Sequence, residues 1–390
     1  MLKPQQITNG AEAISPIMED MEQRVIKALS KEFKRGFKPL ESESRSMIIN
    51  AADAGIDLSN VFEELVKTKV MTTEQVAQVV VSEGLINVYQ ENQRLAPLGI
   101  ELKAEELPFL KDLITEYSTL TANDVTRMLD LDAIGFAVMT PNGTRFQNID
   151  TFVKTELESL ATSVRAGIYN TDEAVEEFVQ NISESGVKTK FPSGYYCDIE
   201  SAVSMAIITA VNNMAQMQNT RIADELELEY AEVTAHQGAR PDHKVWQGKV
   251  YKRVGSEPGY PNLEEATGLG TPGGLLGVNC RHQWYGTDKD LPRVYTDEQL
   301  ENIDPPPREY DGKEFTYYEA TQQQRAFERA IRQKKREIAG YEGIGNDDKV
   351  SATEQKLLKL EAEYKKFSKA MDLKTHSERT AVYQNTKTRP

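Results

Sequence analysis

The chain has 390 residues, 39% of them apolar and 27% charged, with a formal net charge of −15. That length implies two or three structural units, and the modest apolar share suits long exposed helices better than one thick core. Apolar runs as short as "MAII" (205–208) exclude a membrane span, "MLKPQQITNG" carries no apolar leader, and two cysteines, Cys197 and Cys280, exclude a disulfide framework.

The charge is unevenly spread. Residues 1–190 carry 19 Lys and Arg against 30 Asp and Glu, whereas residues 313–390 carry 17 against 12. Phosphate binding needs a local excess of Lys and Arg, so any DNA contact is expected on the C-terminal tail.

In chain order, "SPIMEDMEQRVIKALSKEF" predicts a helix with Ser15 as N-cap and Pro16 at the first helical position, because Ile17, Met21, Val25, Ile26 and Leu29 recur at helical spacing. Further helices are expected in "ESRSMIINAADAG", "NVFEELVKT", "TTEQVAQVVVSEGLINVYQENQRL", "EELPFLKDLITEYSTL" and "TANDVTRMLDL". "GFAVMTPNGTRFQ" predicts two short strands about a Pro141-Asn142-Gly143 turn, and two helices follow in "IDTFVKTELESLATSVRAG" and "NTDEAVEEFVQNIS". "GVKTKFPSGYYCD" suggests a hairpin, after which Asp198 would cap a long helix whose methionines (Met205, Met214, Met217) fit core packing.

Strands are expected in "LEYAEVTAH" and "KVWQGKVYKRV", joined by the turn "QGARPDH". Residues 254–279 are rich in Gly and Pro and predict irregular backbone, which in a compact unit marks a site or a tie-down point. Pro305, Pro306 and Pro307 predict a stiff linker to a separate arm of two charged helices. The fold class is therefore mainly α: a helical region over 1–190, a small α+β domain over 191–295, and a linker with a helical arm over 296–390.

His236, His243, Cys280 and His282 flank the glycine-rich segment and form the candidate metal set, with zinc as the ion their nitrogen and sulfur donors would accept. A nucleophile reading would use Cys280, with His282 or His243 as base and Asp242 as orienter. A third reading needs no chemistry: Asn279, Arg281 and His282 act as polar struts for the irregular loop, and Trp246 and Trp284 pack as its apolar floor. No phosphate-binding loop is present, since "GLGTPGG" lacks the required lysine.

The ordered stretches "TAHQGARPDHKVWQGKVY", "YPNLEEATGLGTPGGLLGVNCRHQWY" and "YYEATQQQRAFERAIRQKKRE" resemble the phage minor capsid protein family (minor capsid protein 2), related to Mu F type head morphogenesis proteins, over about residues 190–340. The resemblance implies a structural, non-enzymatic protein of a tailed bacteriophage head, assembled in the host cytoplasm and located in the virion head interior near the portal. Its implied partners are the portal protein and the major capsid or scaffolding protein, its implied role head assembly or DNA packaging and delivery, and no membrane is involved. Motif positions carried over are Gly238, Arg240, His243, Gly248, Asn279, Cys280, Arg281 and His282. Some Mu F type relatives carry extra cysteines where this chain has "RPDH". Arg325, Arg329, Arg332 and Arg336, with Lys335, form a basic stripe on the C-terminal arm that would face packaged DNA or a partner. The alternatives are a zinc- or cysteine-dependent enzyme of the head and a DNA-binding packaging accessory.

Overall fold

The computed structural model describes residues 2, 4–37, 57–98, 108–140, 142–277, 280–289 and 291–380. The helix expected at 43–55 and the strut Asn279 lie outside them. Helix α1 (Pro4–Gly36) begins eleven residues before the expected cap, with Pro16 inside it. Ser15 does not cap; its hydroxyl donates to Glu200 Oε1 at 2.8 Å. Ile7, Ala11 and Ile14 are buried ahead of the proline, so tertiary packing offsets the lost backbone bond.

Helix α2 (Ser59–Leu95) joins two expected helices into one of 37 residues, and α3 (Pro108–Met128) does the same. Gly84 stays inside α2 because Ile114 and Met214 press against it; a Cβ there would lie 2.8 Å and 2.9 Å from them. Strands β1 (Ile134–Thr140) and β2 (Gly143–Asn148) form the expected hairpin. It is extended by β3 (Lys188–Lys190) and β4 (Tyr196–Asp198) into an antiparallel sheet of order β2-β1-β3-β4.

Between these pairs run α4 (Ile149–Arg165), capped by Asn148, and α5 (Thr171–Ser185), closed by an Asn170–Glu173 capping box. The long helix α6 (Ile199–Glu225) follows; Asp198 occupies its cap position but makes no capping bond, its carboxylate pairing with Lys188. Of its methionines, Met214 is fully buried while Met217 is half-exposed.

A second, three-stranded sheet has order β6-β5-β7, from β5 (Tyr230–Val233), β6 (Val250–Lys252) and β7 (Trp284–Thr287). The short helices α7 (Pro241–Lys244) and α8 (Leu263–Thr267) punctuate the connections. Helix α9 (Asp297–Glu301) and the hairpin β8 (Arg308–Tyr310) and β9 (Lys313–Phe315) lead into α10 (Tyr317–Ile344) and α11 (Asp347–Ala370). The fold is mainly α with small antiparallel sheets, as expected.

The C-terminal helices are not the free arm that three prolines suggested. Helix α10 packs along α1 and α5 and places Tyr341 and Ile344 in the main apolar core. Gly340 and Gly343 permit this approach: added Cβ atoms would meet Val179 at 2.6 Å and the Lys27 carbonyl at 2.4 Å. That core draws on α1, α2, α3, α4, α5, α6 and α10, and so crosses both expected segment boundaries. A smaller core of Trp246, Tyr251, Leu263, Leu275, Cys280 and Trp284 sits under the second sheet.

Candidate functional site

Strand β5 is the centre of the second sheet, and the chain on either side of it delivers the site. After β5, the Thr234 N–H donates to the Gln283 carbonyl at 2.9 Å and the Thr234 hydroxyl accepts from the Gln283 N–H at 3.0 Å, bringing "NCRH" beside "TAH". Gly238 turns the chain at φ +67°, and its N–H donates to Asp304 Oδ1 at 2.7 Å. Pro241 then opens α7, which carries His243 inward. The glycine-rich segment is folded on itself by turns such as Leu275 N–H to Thr267 O at 3.1 Å and ends at Cys280.

Three of the four expected donors converge. His243 Nδ1 and His282 Nδ1 are 3.4 Å apart, and Cys280 Sγ lies 3.8 Å from the first and 3.7 Å from the second. All three residues are buried. His236 is not a fourth donor to this set: its Nδ1 faces the Gln237 carbonyl at 2.8 Å and its ring stacks on His282 with centroids 4.3 Å apart. Trp246 closes the cluster, its ring 4.6 Å from the His243 ring and 4.8 Å from that of His282.

The outer edges of both imidazoles meet acceptors. Gln247 Oε1 accepts the His236 N–H at 3.1 Å, which fixes the amide orientation, and lies 3.0 Å from His282 Nε2. The His282 proton is therefore on Nε2 and its Nδ1 presents a lone pair. His243 Nε2 lies 2.9 Å from the Gly273 carbonyl, an acceptor only. The Arg240 guanidinium touches the same nitrogen and reaches the Gly273 carbonyl at 3.3 Å. The guanidinium donates and the carbonyl accepts, so these two partners ask opposite things of His243 Nε2: a proton on Nδ1 suits the arginine, and a proton on Nε2 suits the carbonyl.

Burial depresses the His282 imidazole well below its ordinary range, with His236, His243 and Arg240 adding to the effect. Burial, assisted by Arg240, also lowers His243, and burial raises the Cys280 thiol. Each effect favours the neutral form. Of the nucleophile reading, the thiol and both imidazoles are brought together but the orienter is not: Asp242 is exposed and lies 3.7 Å from Arg240 rather than against either imidazole.

Gly248 has φ +69° and Leu300 packed against its open side; Trp246 and Trp284 are buried in one apolar cluster. Arg281, between Cys280 and His282, is carried to the other side of the extended segment, where burial and the nearby Arg325 and Arg379 lower it to about 10.

The expected solvent-facing basic stripe turns inward instead. Arg332 is 3.1 Å from Glu19 and 3.6 Å from Glu200, and Arg336 is 3.0 Å from Glu22 while donating to the Ser183 carbonyl at 2.8 Å. Lys335 donates to the Thr380 carbonyl, Arg325 is half-buried, and Arg329 is the exposed member. A charge period cannot distinguish water from a carboxylate cluster on a neighbouring helix, so Glu19, Glu22 and Glu200 went unnoticed. Also unforeseen was the amide face of α6. Gln216 Oε1 accepts the Trp284 N–H at 2.8 Å and its Nε2 donates to the Trp284 carbonyl at 3.1 Å, while Asn212 donates to the Cys280 carbonyl at 3.2 Å. The polar pattern "NNMAQMQN" was the available signal.

Residues 2–369 match the family described as phage minor capsid protein 2. A curated relative, a structural protein of Lactococcus phage LL-H, is 28% identical over 195 residues. That alignment takes in 47% of this chain and 48% of the relative, so the chain spans about half the length of the curated relative it matches. No solved structure matches.

Proposed function

The chain belongs to the phage minor capsid protein 2 family, and from that premise we propose that it sits in the head interior against the portal and assists head assembly or DNA packaging and delivery. The observation that carries this reading is a family match running through the main core, the second sheet and α10 alike, so that the whole described architecture belongs to a phage structural protein.

The surface supports a protein partner. Val66, Val70, Val81, Leu85 and Tyr89 are exposed along one broad side of α2. At about 100° per residue these positions lie on one side of the helix as two patches, Val66 with Val70 and Val81 with Leu85 and Tyr89, separated by the exposed Glu74 and Gln78, and exposed apolar patches gain by being covered. The inward turn of Arg332 and Arg336 removes two of the cations on which a DNA-binding accessory would depend.

Mass spectrometry of full and emptied particles, with cross-linking to the portal protein, tests this function. The expected result is low-copy presence in full particles with cross-links from α2 to the portal. Cross-links to the major capsid protein alone would overturn the portal assignment, and absence from purified particles would overturn the head location.

A further inference from the structure

We propose that His243 Nδ1, His282 Nδ1 and Cys280 Sγ bind one zinc ion, which pins the glycine-rich segment to the second sheet. The spacing of the donors carries the argument. With Zn–N near about 2.05 Å and Zn–S near about 2.3 Å, a tetrahedral ion separates two nitrogens by roughly 3.3–3.4 Å and a nitrogen from a sulfur by roughly 3.6 Å. The three separations here are 3.4, 3.7 and 3.8 Å.

The proton assignment points the same way. His282 Nε2 faces the Gln247 carbonyl oxygen, so the His282 Nδ1 lone pair points into the buried space, and the His243 Nδ1 lone pair joins it when the His243 proton sits on Nε2 against the Gly273 carbonyl. The Cys280 thiol owns a single hydrogen and can satisfy one of them. A divalent cation satisfies both, together with the thiolate it creates by displacing that hydrogen to solvent. Outer acceptors on the far ring nitrogens are what metal-bound imidazoles require for orientation, and here Gln247 and the Gly273 carbonyl supply them. Arg240 meets His243 at Nε2, the ring edge away from the three donors.

Two imidazoles and one thiolate form a borderline-soft set suited to zinc. The fourth position falls to a water molecule. The consequence is structural: His243 and Cys280 are 37 positions apart, and the ion closes that excursion. This inference is independent of which virion protein the chain docks against.

Full-length protein purified without chelator, analysed by plasma mass spectrometry and by cobalt(II) replacement, tests the site. We expect about one zinc per chain, and cobalt protein with tetrahedral visible bands and a thiolate charge-transfer band. Cys280→Ser and His282→Asn should lower zinc content at least tenfold. Cys197→Ser, which removes the other thiol, and His236→Ala, which removes the stacked ring, should retain it. Should the ligand variants fail to fold, chelation of the natural protein serves instead: the melting temperature should fall and be restored by zinc but not by magnesium. A folded natural protein that takes up neither zinc nor cobalt stoichiometrically would overturn the proposal. So would zinc that persists in Cys280→Ser, or copper with an intense blue absorbance in place of zinc.

Discussion

Replacing Glu19 by Gln should stabilise the protein in alkaline solution and leave it nearly unchanged in acid. Glu19 is 2% exposed in the interface between α1, α6 and α10, where among the described residues Glu19, Glu22 and Glu200 pair with Arg332 and Arg336. Burial pushes the Glu19 carboxyl up to about 8; Arg332 and Arg336 oppose the shift and Glu22 and Glu200 add to it. With the folded value raised above the unfolded 4.5, the neutral carboxyl contributes stability that is fully present below pH 4.5 and lost as pH climbs to about 8. The loss runs at about 1.4 kcal/mol per pH unit, so between pH 5 and pH 8 the natural protein gives up at most about 4 kcal/mol through this group. Glu19→Gln keeps an acceptor toward Arg332 and has nothing to ionise. Urea unfolding followed by circular dichroism at pH 5, 7 and 9 should therefore show the variant gaining on the natural protein by a few kcal/mol as pH rises. A variant less stable by the same amount at every pH would refute the reasoning, since it would mean that Glu19 is ionised and bound to Arg332 throughout.

Gln216→Leu strips the Trp284 N–H and carbonyl of partners in a buried interface, and should cost about 2–4 kcal/mol in urea unfolding, partly relieved because Asn219 also reaches that carbonyl at 3.3 Å. Gly248→Ala puts a Cβ 2.3 Å from a Leu300 methyl on a backbone at φ +69°, so its melting temperature should fall; adding Leu300→Ala should recover the steric part and leave the roughly 1–2 kcal/mol backbone part. Val70→Asp with Leu85→Asp, both half-exposed on α2, should leave the circular dichroism spectrum and melting temperature intact while removing the protein from particles in a complementation assay.

The helices were legible because apolar residues at 3.6-residue spacing leave a strong periodic trace, and Ile17, Met21, Val25 and Leu29 are all in the core. Their ends were not, where a local breaker is overruled by distant packing. Pro16 reads as the first position of a helix, yet it sits inside one that starts at Pro4, because Ile7, Ala11 and Ile14 ahead of it are buried in the core. The candidate site was legible in composition: the rarity of His and Cys singled out His243, Cys280 and His282. Its geometry was not. Spacing gave His236 and His243 equal standing, and only the fold shows that α7 turns His243 to the thiol while His236 stacks behind His282. Gln247, which fixes the His282 proton, carries no pattern by which one sequence could announce it.

The basic period on α10 shows how the same trace can be read correctly and placed wrongly. Arg332 and Arg336 do share a face, but α1 presents Glu19 and Glu22 three residues apart along the opposing ridge, and the first turn of α6 adds Glu200. The two guanidiniums are costly to part from these carboxyl groups, because an unpaired guanidinium would remain in a buried interface. Gly340 and Gly343, farther along, continue that face and let α1 approach closely, and Tyr341 and Ile344 beside them join the main apolar core. Helix α10 is thus bound to α1 by two kinds of interaction along its length, and detaching it would expose both. Its free cations are few, with Arg329 the one member of the arginine stripe that faces solvent, so a partner reading α10 in the assembled particle meets a structural strut whose charge is mostly spent inside the protein.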